Sequence, residues 1–288
     1  MKMDGGRAMI LVEHLTHIYA PGTPLALTSL EDVSLHIEEG EFVVLAGATG
    51  SGKSTLVQHF NGLLLPTAGR VLVGGRDTRD KKVRRDLWRT VGLLFQNPEQ
   101  QLFEESVFAE VAFACRNLGL DEKTVEVRVC RALEMVGLEP DRYRALSPFA
   151  LSRGQQRLVA LAGLLAYQPP VLVLDEPTSG LDPAAREQIW QLLKKLQQAG
   201  HTVVVITHHM EDAARFAGRV VVLHRGKIYR QGTPRQVFSD PGGLRAVGLD
   251  VPMPCELMYC LQQKGLPVKS GIITLDEAEL ELKNLAMG

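Results

Sequence analysis

An α/β fold with a parallel β-sheet covered on both faces is the architecture this sequence predicts. Two short apolar runs, "VLVLD" (Val171–Asp175) and "TVVVIT" (Thr202–Thr207), read as buried strands, with the helical stretch "AAREQIWQLLKKLQQAG" between them. A strand, a crossing helix and a second strand without polar alternation imply parallel strands buried on both sides. The third observation is "EFVVLAG" (Glu41–Gly47), a β-branched run that ends in glycine and leads into the helical "STLVQHFNGLL".

The remaining elements follow in order. From Met9 to about Gly74 the pattern is strand-rich and punctuated by turns. From about Asn97 to Gln168 it is mostly helical, with apolar residues three and four apart in "TVEVRVCRALEMVGL". The helix between the two buried strands ends at Gly200, a residue suited to a C-cap. "RVVVLHRGKIYRQG" (Arg219–Gly232) predicts a closing hairpin around Arg225-Gly226. Beyond about Asp240 proline and glycine become denser, which places a boundary near residue 245 between a domain at 1–245 and an extension at 246–288. In the extension "TLDE" (Thr274–Glu277) is a capping box, and Leu275, Ala278, Leu282 and Leu285 form an apolar stripe. That helix either docks on its own domain or forms a dimer contact. Internal repeats and low-complexity segments are absent.

A chain of 288 residues can bury a substantial core, and 45% hydrophobic with 23% charged residues is ordinary for a soluble globular protein. The net charge of −1 gives no whole-chain field that favours nucleic acid or anionic lipid. The run "KKVRR" (Lys81–Arg85) reads as a solvated helix face, with a local contact as the alternative. Four cysteines without C-x-x-C spacing fit reduced thiols in the cytosol. A metal site at Cys255 and Cys260 lacks a matching His/Cys cluster nearby. The longest apolar run, "LVALAGLLAY" (Leu158–Tyr167), is far too short to span a bilayer, and the N-terminus shows no cleavable signal pattern. The polypeptide is therefore expected to be soluble, with any membrane association made through a partner.

The chemistry starts at "GATGSGKST": Gly47, Ala48, Thr49, Gly50, Ser51, Gly52, Lys53, Ser54 and Thr55. This run fits G-x-x-x-x-G-K-[ST] and sits between a predicted strand and a predicted helix, as that motif requires. Glycines let the loop wrap closely so that backbone N–H groups point at phosphate oxygens, and the helix N-terminus adds partial positive charge. Lys53 then reaches the β- and γ-phosphates, and the Ser54 hydroxyl ligates Mg²⁺. "VLVLDEP" carries Asp175 to a strand end, where its carboxylate can hold the magnesium shell. Glu176, the next residue, can orient an attacking water. "THHM" ends the next strand, and a parallel sheet sets successive strand ends side by side. His208 is therefore expected near Glu176 and the γ-phosphate, with His209 facing solvent. "ALSRGQQR" (Ala150–Arg157) precedes the acidic strand, and its Ser152 and Gly154 open a predicted helix.

Together with Gln96 in "LLFQNPEQQLF", these residues stand in the order that marks the ATP-binding-cassette (ABC) ATPases, and the chain resembles that family across nearly all of residues 9–240. The resemblance implies a P-loop NTPase with a RecA-like parallel-sheet core, an antiparallel β subdomain, a helical signature subdomain at about 97–168 and a small C-terminal appendage. It implies ATP and Mg²⁺ as cofactors. Gln96 would sense Mg²⁺ and face a transmembrane partner, while Ser152, Gly154 and Gln155 of "LSRGQ" form the signature. Glu176 would be the catalytic base, Asp182 of "SGLD" part of the D-loop, and His208 the switch histidine. Tyr19 in "HIYAPGTP" matches the aromatic that stacks on adenine; without the resemblance it reads as a packing residue.

The finer resemblance is to the energy-coupling-factor (ECF) transporter ATPases, through "YAPGTPLAL", "GATGSGKSTLVQHFNGLLLPTAG", "FQNPEQQLFEESV" and "SPFALSRGQ". The first two are most similar to the second of that group's two ATPase types. This implies a second ATPase subunit, a transmembrane coupling subunit and a substrate-binding membrane subunit that selects a vitamin or metal ion. The chain would then sit at the cytoplasmic face of the membrane, with no nucleic acid bound. Two ATPs would lie head to tail, each between one subunit's phosphate loop and the other's signature. A cassette for another kind of ABC transporter, or a soluble ABC ATPase acting on nucleic acid or ribosomes, are the alternatives. Arg153 stands where the family has the first signature glycine, His209 where it usually has aspartate, and only Arg157 where relatives often have two arginines.

Overall fold

The computed structural model describes residues 8–287. The chain divides into two compact units, one running to Arg79 and resuming at Ile206, the other formed by Asp80–Val205.

The first unit begins with β1 (Ala8–Tyr19), β2 (Leu27–Glu38), β3 (Phe42–Ala46), α1 (Lys53–Phe60), β4 (Ala68–Val73) and β5 (Arg76–Asp77). Four of these strands make an antiparallel sheet in the order β2-β1-β4-β5, with Leu11 opposite both His36 and Leu72. The β1–β2 register slips between Val12 and Leu15, where His14 and Asp32 take positive φ, 50° and 51°. Bulges of this kind increase the local twist. Ile10, Val12, Leu15, Leu30, Val33 and Ile37 bury the inner face. All five residues of β3 are buried, as its unbroken apolar run demands of a strand covered on both faces.

The second unit holds α2 (Lys81–Asp86), β6 (Val91–Leu94), α3 (Val107–Asn117), α4 (Glu122–Met135), α5 (Pro140–Tyr143), α6 (Arg153–Ala166), β7 (Val171–Asp175), α7 (Pro183–Gln198) and β8 (Thr202–Ile206). Its strands run in the order β8-β7-β6, and β6 pairs with β7 in parallel from Val91 opposite Val171 to Leu94 opposite Leu174. The helices start at side-chain caps: Ser106 accepts from Ala109 N–H, and Asp121 accepts from Thr124 N–H. On α3 Val107, Val111 and Cys115 are buried, on α4 Val125, Val129 and Leu133. These spacings of four place one stripe of each helix inward. No residue of α2, which carries "KKVRR", is buried, as the solvated-face reading requires.

The chain returns to the first unit with α8 (Met210–Phe216), β9 (Arg219–His224), β10 (Lys227–Gly232), α9 (Pro234–Val237), α10 (Pro241–Ala246), α11 (Met253–Gln263) and α12 (Leu275–Met287). β9 pairs with β3 in parallel, and β10 folds back on β9 through the expected turn at Arg225-Gly226. Arg219 grips Glu41 through two bonds of 2.6 and 2.9 Å and also donates to the His36 carbonyl. This bidentate pair fixes the entry to β9 against the entry to β3.

In the extension, Ala278 joins Met258, Val268 and Ile272 in a small core, with Leu282 and Leu285 packed on it. Three of the four stripe residues on α12 thus face the chain's own α11, whereas Leu275 is 61% exposed. The capping box is displaced by one residue. Thr274 Oγ1 accepts from Glu277 N–H, but the Glu277 carboxylate reaches back to Ile273 N–H rather than Thr274. Arg235 draws that carboxylate outward with a 2.6 Å bond. The Cys255 thiol donates to the Ile272 carbonyl, and burial pushes its pKa up to about 12. Among the described residues no three His, Cys, Asp or Glu side chains gather as a metal site, and no helix is long and apolar enough to cross a membrane.

Candidate nucleotide site

The phosphate loop lies between β3 and α1 in the first unit. Gly52, the N-cap of α1, has φ 102°, a conformation that an L side chain resists. A Cβ there would also meet Leu30 Cδ2 at 2.7 Å and the Ser29 carbonyl at 2.8 Å. At Gly47, φ is 145°, and a Cβ would run into the Leu223 carbonyl of β9. Sterics thus select glycine at both ends of the loop. Lys53 is buried and donates to the Gly47 carbonyl at 2.7 Å and the Ala48 carbonyl at 2.9 Å, arching across Thr49, Gly50 and Ser51. The hairpin turn completes the support: Gly226 N–H donates to the Ser51 carbonyl, and the Gly226 carbonyl accepts from Glu31 N–H.

Thr55, the residue that follows the motif, is a junction. Its hydroxyl lies 2.8 Å from Ser29 Oγ and 3.1 Å from the Tyr19 hydroxyl. Tyr19 is 39% exposed, and its ring meets His17 edge-on at a centroid distance of 4.6 Å. His17 in turn lies edge-on to His59 at 4.8 Å. His59 is fully buried on α1 itself, with Nδ1 2.7 Å from the Thr55 carbonyl and Nε2 3.2 Å from His17 Nδ1. Burial pulls the His59 pKa down to about 4, the Thr55 carbonyl opposes this, and neighbouring His17 adds to it. The aromatic expected over a nucleobase is therefore tied through Thr55 to the loop that would hold the phosphates.

His208 follows β8 and is exposed. His209 departs from the expectation that it faces solvent. It is half-buried at the N-cap position of α8, and its N–H donates to Thr207 Oγ1 at 3.0 Å.

In the second unit, Asp175 closes the fully buried β7. Glu176 follows with φ 52°, a left-handed conformation unusual outside glycine, and its side chain is only 6% exposed. Asp182 spends its carboxylate as the N-cap of α7, accepting from Ala184 and Ala185 N–H at 3.0 Å each. This local duty is one that a nucleotide-site reading of "SGLD" does not anticipate. Ser152 and Gln155 form a capping box on α6: Ser152 Oγ accepts from Gln155 N–H, and Gln155 Oε1 accepts from Ser152 N–H. Because Ser152 uses its oxygen as acceptor, its O–H remains a donor for an external anion. Gln155 also donates to the Tyr143 hydroxyl, so its amide serves the helix start. A Cβ on Gly154 would touch Leu181 Cδ2 at 3.4 Å, which places the signature glycine against the D-loop. Arg153 and Gln96 are exposed.

The sequence reading gave no task to Arg157 and missed Ser29. Arg157 is buried on α6, and its guanidinium donates to the backbone carbonyls of Gln96, Glu176 and Ser179. The signal was available, since Arg157, Leu161, Leu164 and Leu165 follow the i, i+4, i+7, i+8 spacing of a buried helix stripe. An arginine on that stripe needs partners.

Hard oxygen donors suit Mg²⁺, which keeps waters and substrate phosphates around one or two protein ligands. An exposed Ser54 hydroxyl on the first turn of α1 and a carboxylate at the end of β7 are donors of that kind.

The ABC transporter family matches residues 30–179. The energy-coupling factor transporter ATP-binding protein EcfA2 of Symbiobacterium thermophilum is 49% identical over 280 residues, 97% of this chain and 97% of its own. The protein of the same name from Clostridium tetani is 46% identical over 275 residues, 95% of this chain and 96% of its own. Among solved structures, cbiO1 from Clostridium perfringens, part of the ABC transporter complex cbiONQ, matches with a TM-score of 0.73 at 36% identity. It covers 88% of this chain and 99% of its own. The dimeric cassette MJ0796 in a post-hydrolysis state bound to ADP and Pi gives a TM-score of 0.73 at 33% identity, over 78% of this chain and 99% of its own. At this identity and coverage the chain belongs to the ABC transporter ATPases and, within them, to the EcfA2-type ATP-binding proteins of energy-coupling factor transporters.

Proposed function

We propose that the chain is the ATP-hydrolysing subunit of an energy-coupling-factor importer, powering uptake of a vitamin or metal ion through membrane partners at the cytoplasmic face. The phosphate loop carries the reading, with Lys53 arched over backbone that only glycine can adopt at Gly47 and Gly52. In this reading Lys53 and the loop N–H groups hold the β- and γ-phosphates, and Tyr19 stacks on adenine. Ser54 and Asp175, with Gln96, would hold Mg²⁺, which when bound neutralises charge on the transferred phosphoryl group. Glu176 orients the attacking water, and His208 donates a hydrogen bond to the γ-phosphate. Ser152 and the Gly154 N–H donate to the γ-phosphate held by a second ATPase subunit, so a pair of subunits encloses two ATPs.

An apolar groove in the second unit supports a membrane partner. It has a volume of about 200 Å³ and is lined by Leu93, Leu102, Phe113, Ala160, Gly163 and Tyr167. Phe103 and Phe113 stand exposed beside it, edge to face at 4.8 Å between centroids. We infer that a helix of the transmembrane coupling subunit docks here. Solubilised native membranes test this: the tagged chain should bring down a second ATPase and at least one integral membrane protein, and Phe113→Asp should release the latter. Recovery of the chain alone, or with nucleic acid, would refute the assignment.

A further inference from the structure

Arg157 sits one turn into α6 and points inward on the stripe it shares with Leu161, Leu164 and Leu165. Its side chain is only 8% exposed. A buried guanidinium is costly to desolvate unless its N–H groups find acceptors. Here three bonds go to main chain in two separate loops, one after β6 and one between β7 and α7. Nη2 donates to the Gln96 carbonyl at 2.9 Å, while Nη1 donates to the Glu176 carbonyl at 3.2 Å and to the Ser179 carbonyl. The Glu99 carboxylate lies 3.6 Å from Nη2 and balances the charge. One rigid fork thus holds the backbone of the proposed base, of the D-loop and of the proposed magnesium-sensing glutamine.

Two further features give this hub a direction. Glu176 has left-handed backbone geometry, which surrounding contacts must hold in place, and its carbonyl is one of the groups the fork captures. On the same helix, one turn earlier, lie Ser152 and Gly154, the residues proposed to meet the partner's γ-phosphate. An α-helix moves as a rigid body over so short a span.

We propose that Arg157 is a positioning residue for hydrolysis: it locks the Gln96, Glu176 and Ser179 backbone to α6, so that phosphate engagement at Ser152 and Gly154 sets the posture of the chain's own Glu176. The inference rests on the roles proposed for Glu176 and the signature. It assigns Arg157 no contact with nucleotide. A lysine cannot replace it, because an ammonium on a flexible stem cannot span three carbonyls in a fixed plane.

The test uses the full chain in its isolated complex. Arg157→Lys should keep ATP affinity within about twofold and lower turnover at saturating ATP by about tenfold or more. Hydrogen exchange should quicken in peptides covering 96–100 and 176–181 and stay unchanged in 47–56. A variant that folds, turns over within about twofold of the parent and keeps parental exchange at both segments overturns the proposal. Should Arg157→Lys not fold, the unaltered protein decides: protection at 96–100 and 176–181 should rise together when ATP is added, and independent responses overturn the coupling. A parent complex that hydrolyses no ATP would instead refute the functional reading, while the exchange measurement would still test the hub.

Discussion

His59 should make the stability of the chain fall with pH by an amount that a single substitution can isolate. Its imidazole is fully buried, and its pKa is pulled from 6.5 to about 4. In the unfolded chain the ring takes a proton as pH drops through about 6.5, whereas the folded chain resists until about 4. The unfolded state therefore binds more protons across that window, and stability present above pH 6.5 is lost as pH falls through it. At about 1.4 kcal/mol per unit, the full loss is about 3 kcal/mol, of which about 2 kcal/mol is gone by pH 5. His59→Asn keeps a side-chain donor for the Thr55 carbonyl and removes the titration. Urea unfolding of parent and variant at pH 7 and pH 5 supplies the comparison. The variant starts less stable because it leaves a void, yet its loss between the two pH values should be smaller by about 2 kcal/mol. Equal losses in the two proteins would show that the buried ring does not control the acid limb. Since the folded ring, beside Thr55 and His17, stays neutral until about pH 4, nucleotide affinity of the folded parent should hold across the same window and weaken only as the pH nears 4.

Three other outcomes follow from the site. Glu176→Gln should bind ATP, hydrolyse it at least about a hundredfold more slowly and accumulate as a closed dimer on size exclusion with ATP; near-normal turnover would remove Glu176 as base. Arg153→Gly should change turnover of the assembled complex by less than about threefold, because Arg153 is exposed at the first turn of α6 while Gly154 keeps the position against the D-loop. A large gain would show that Arg153 handicaps the partner's ATP site. Asp182→Ala should cost about 1 kcal/mol in chemical denaturation through loss of the α7 cap. Unchanged stability with a tenfold drop in ATP affinity would return Asp182 to the nucleotide.

What could be read in advance depended on whether a residue's task is local. The phosphate loop, β7 with Asp175 and the Arg225-Gly226 hairpin each show in a few adjacent letters, because strand burial and turn geometry act on neighbours. The Ser152–Gln155 box is equally local, and its hydrogen bonds give Gln155 a capping task at the start of α6. Other features depend on contacts between distant segments. Arg157 gains its meaning only when Gln96 and Ser179 arrive beside it, and Ser29 only when β2 brings it to Thr55. The capping box at Thr274 slipped by one residue because Arg235, from a different helix, competes for Glu277. His209 is half-buried because it lies at the start of α8 rather than in the open loop that its polarity suggests.

The Gly226 turn has a consequence for how the protein is made. The phosphate loop is complete in the chain at Thr55, but its Ser51 carbonyl waits for Gly226 and the strand behind it waits for β9. Contacts of such long sequence separation form late, after the local ones. On a ribosome that adds roughly 5–20 residues per second, the stretch from His208 to Gly226 takes about one to four seconds, during which every proposed catalytic residue is translated and the loop still lacks its rear support. Nascent chains released before residue 226 should therefore fail to bind ATP although they already carry Lys53, Asp175, Glu176 and His208, and competence should appear abruptly once β9 and its turn have emerged.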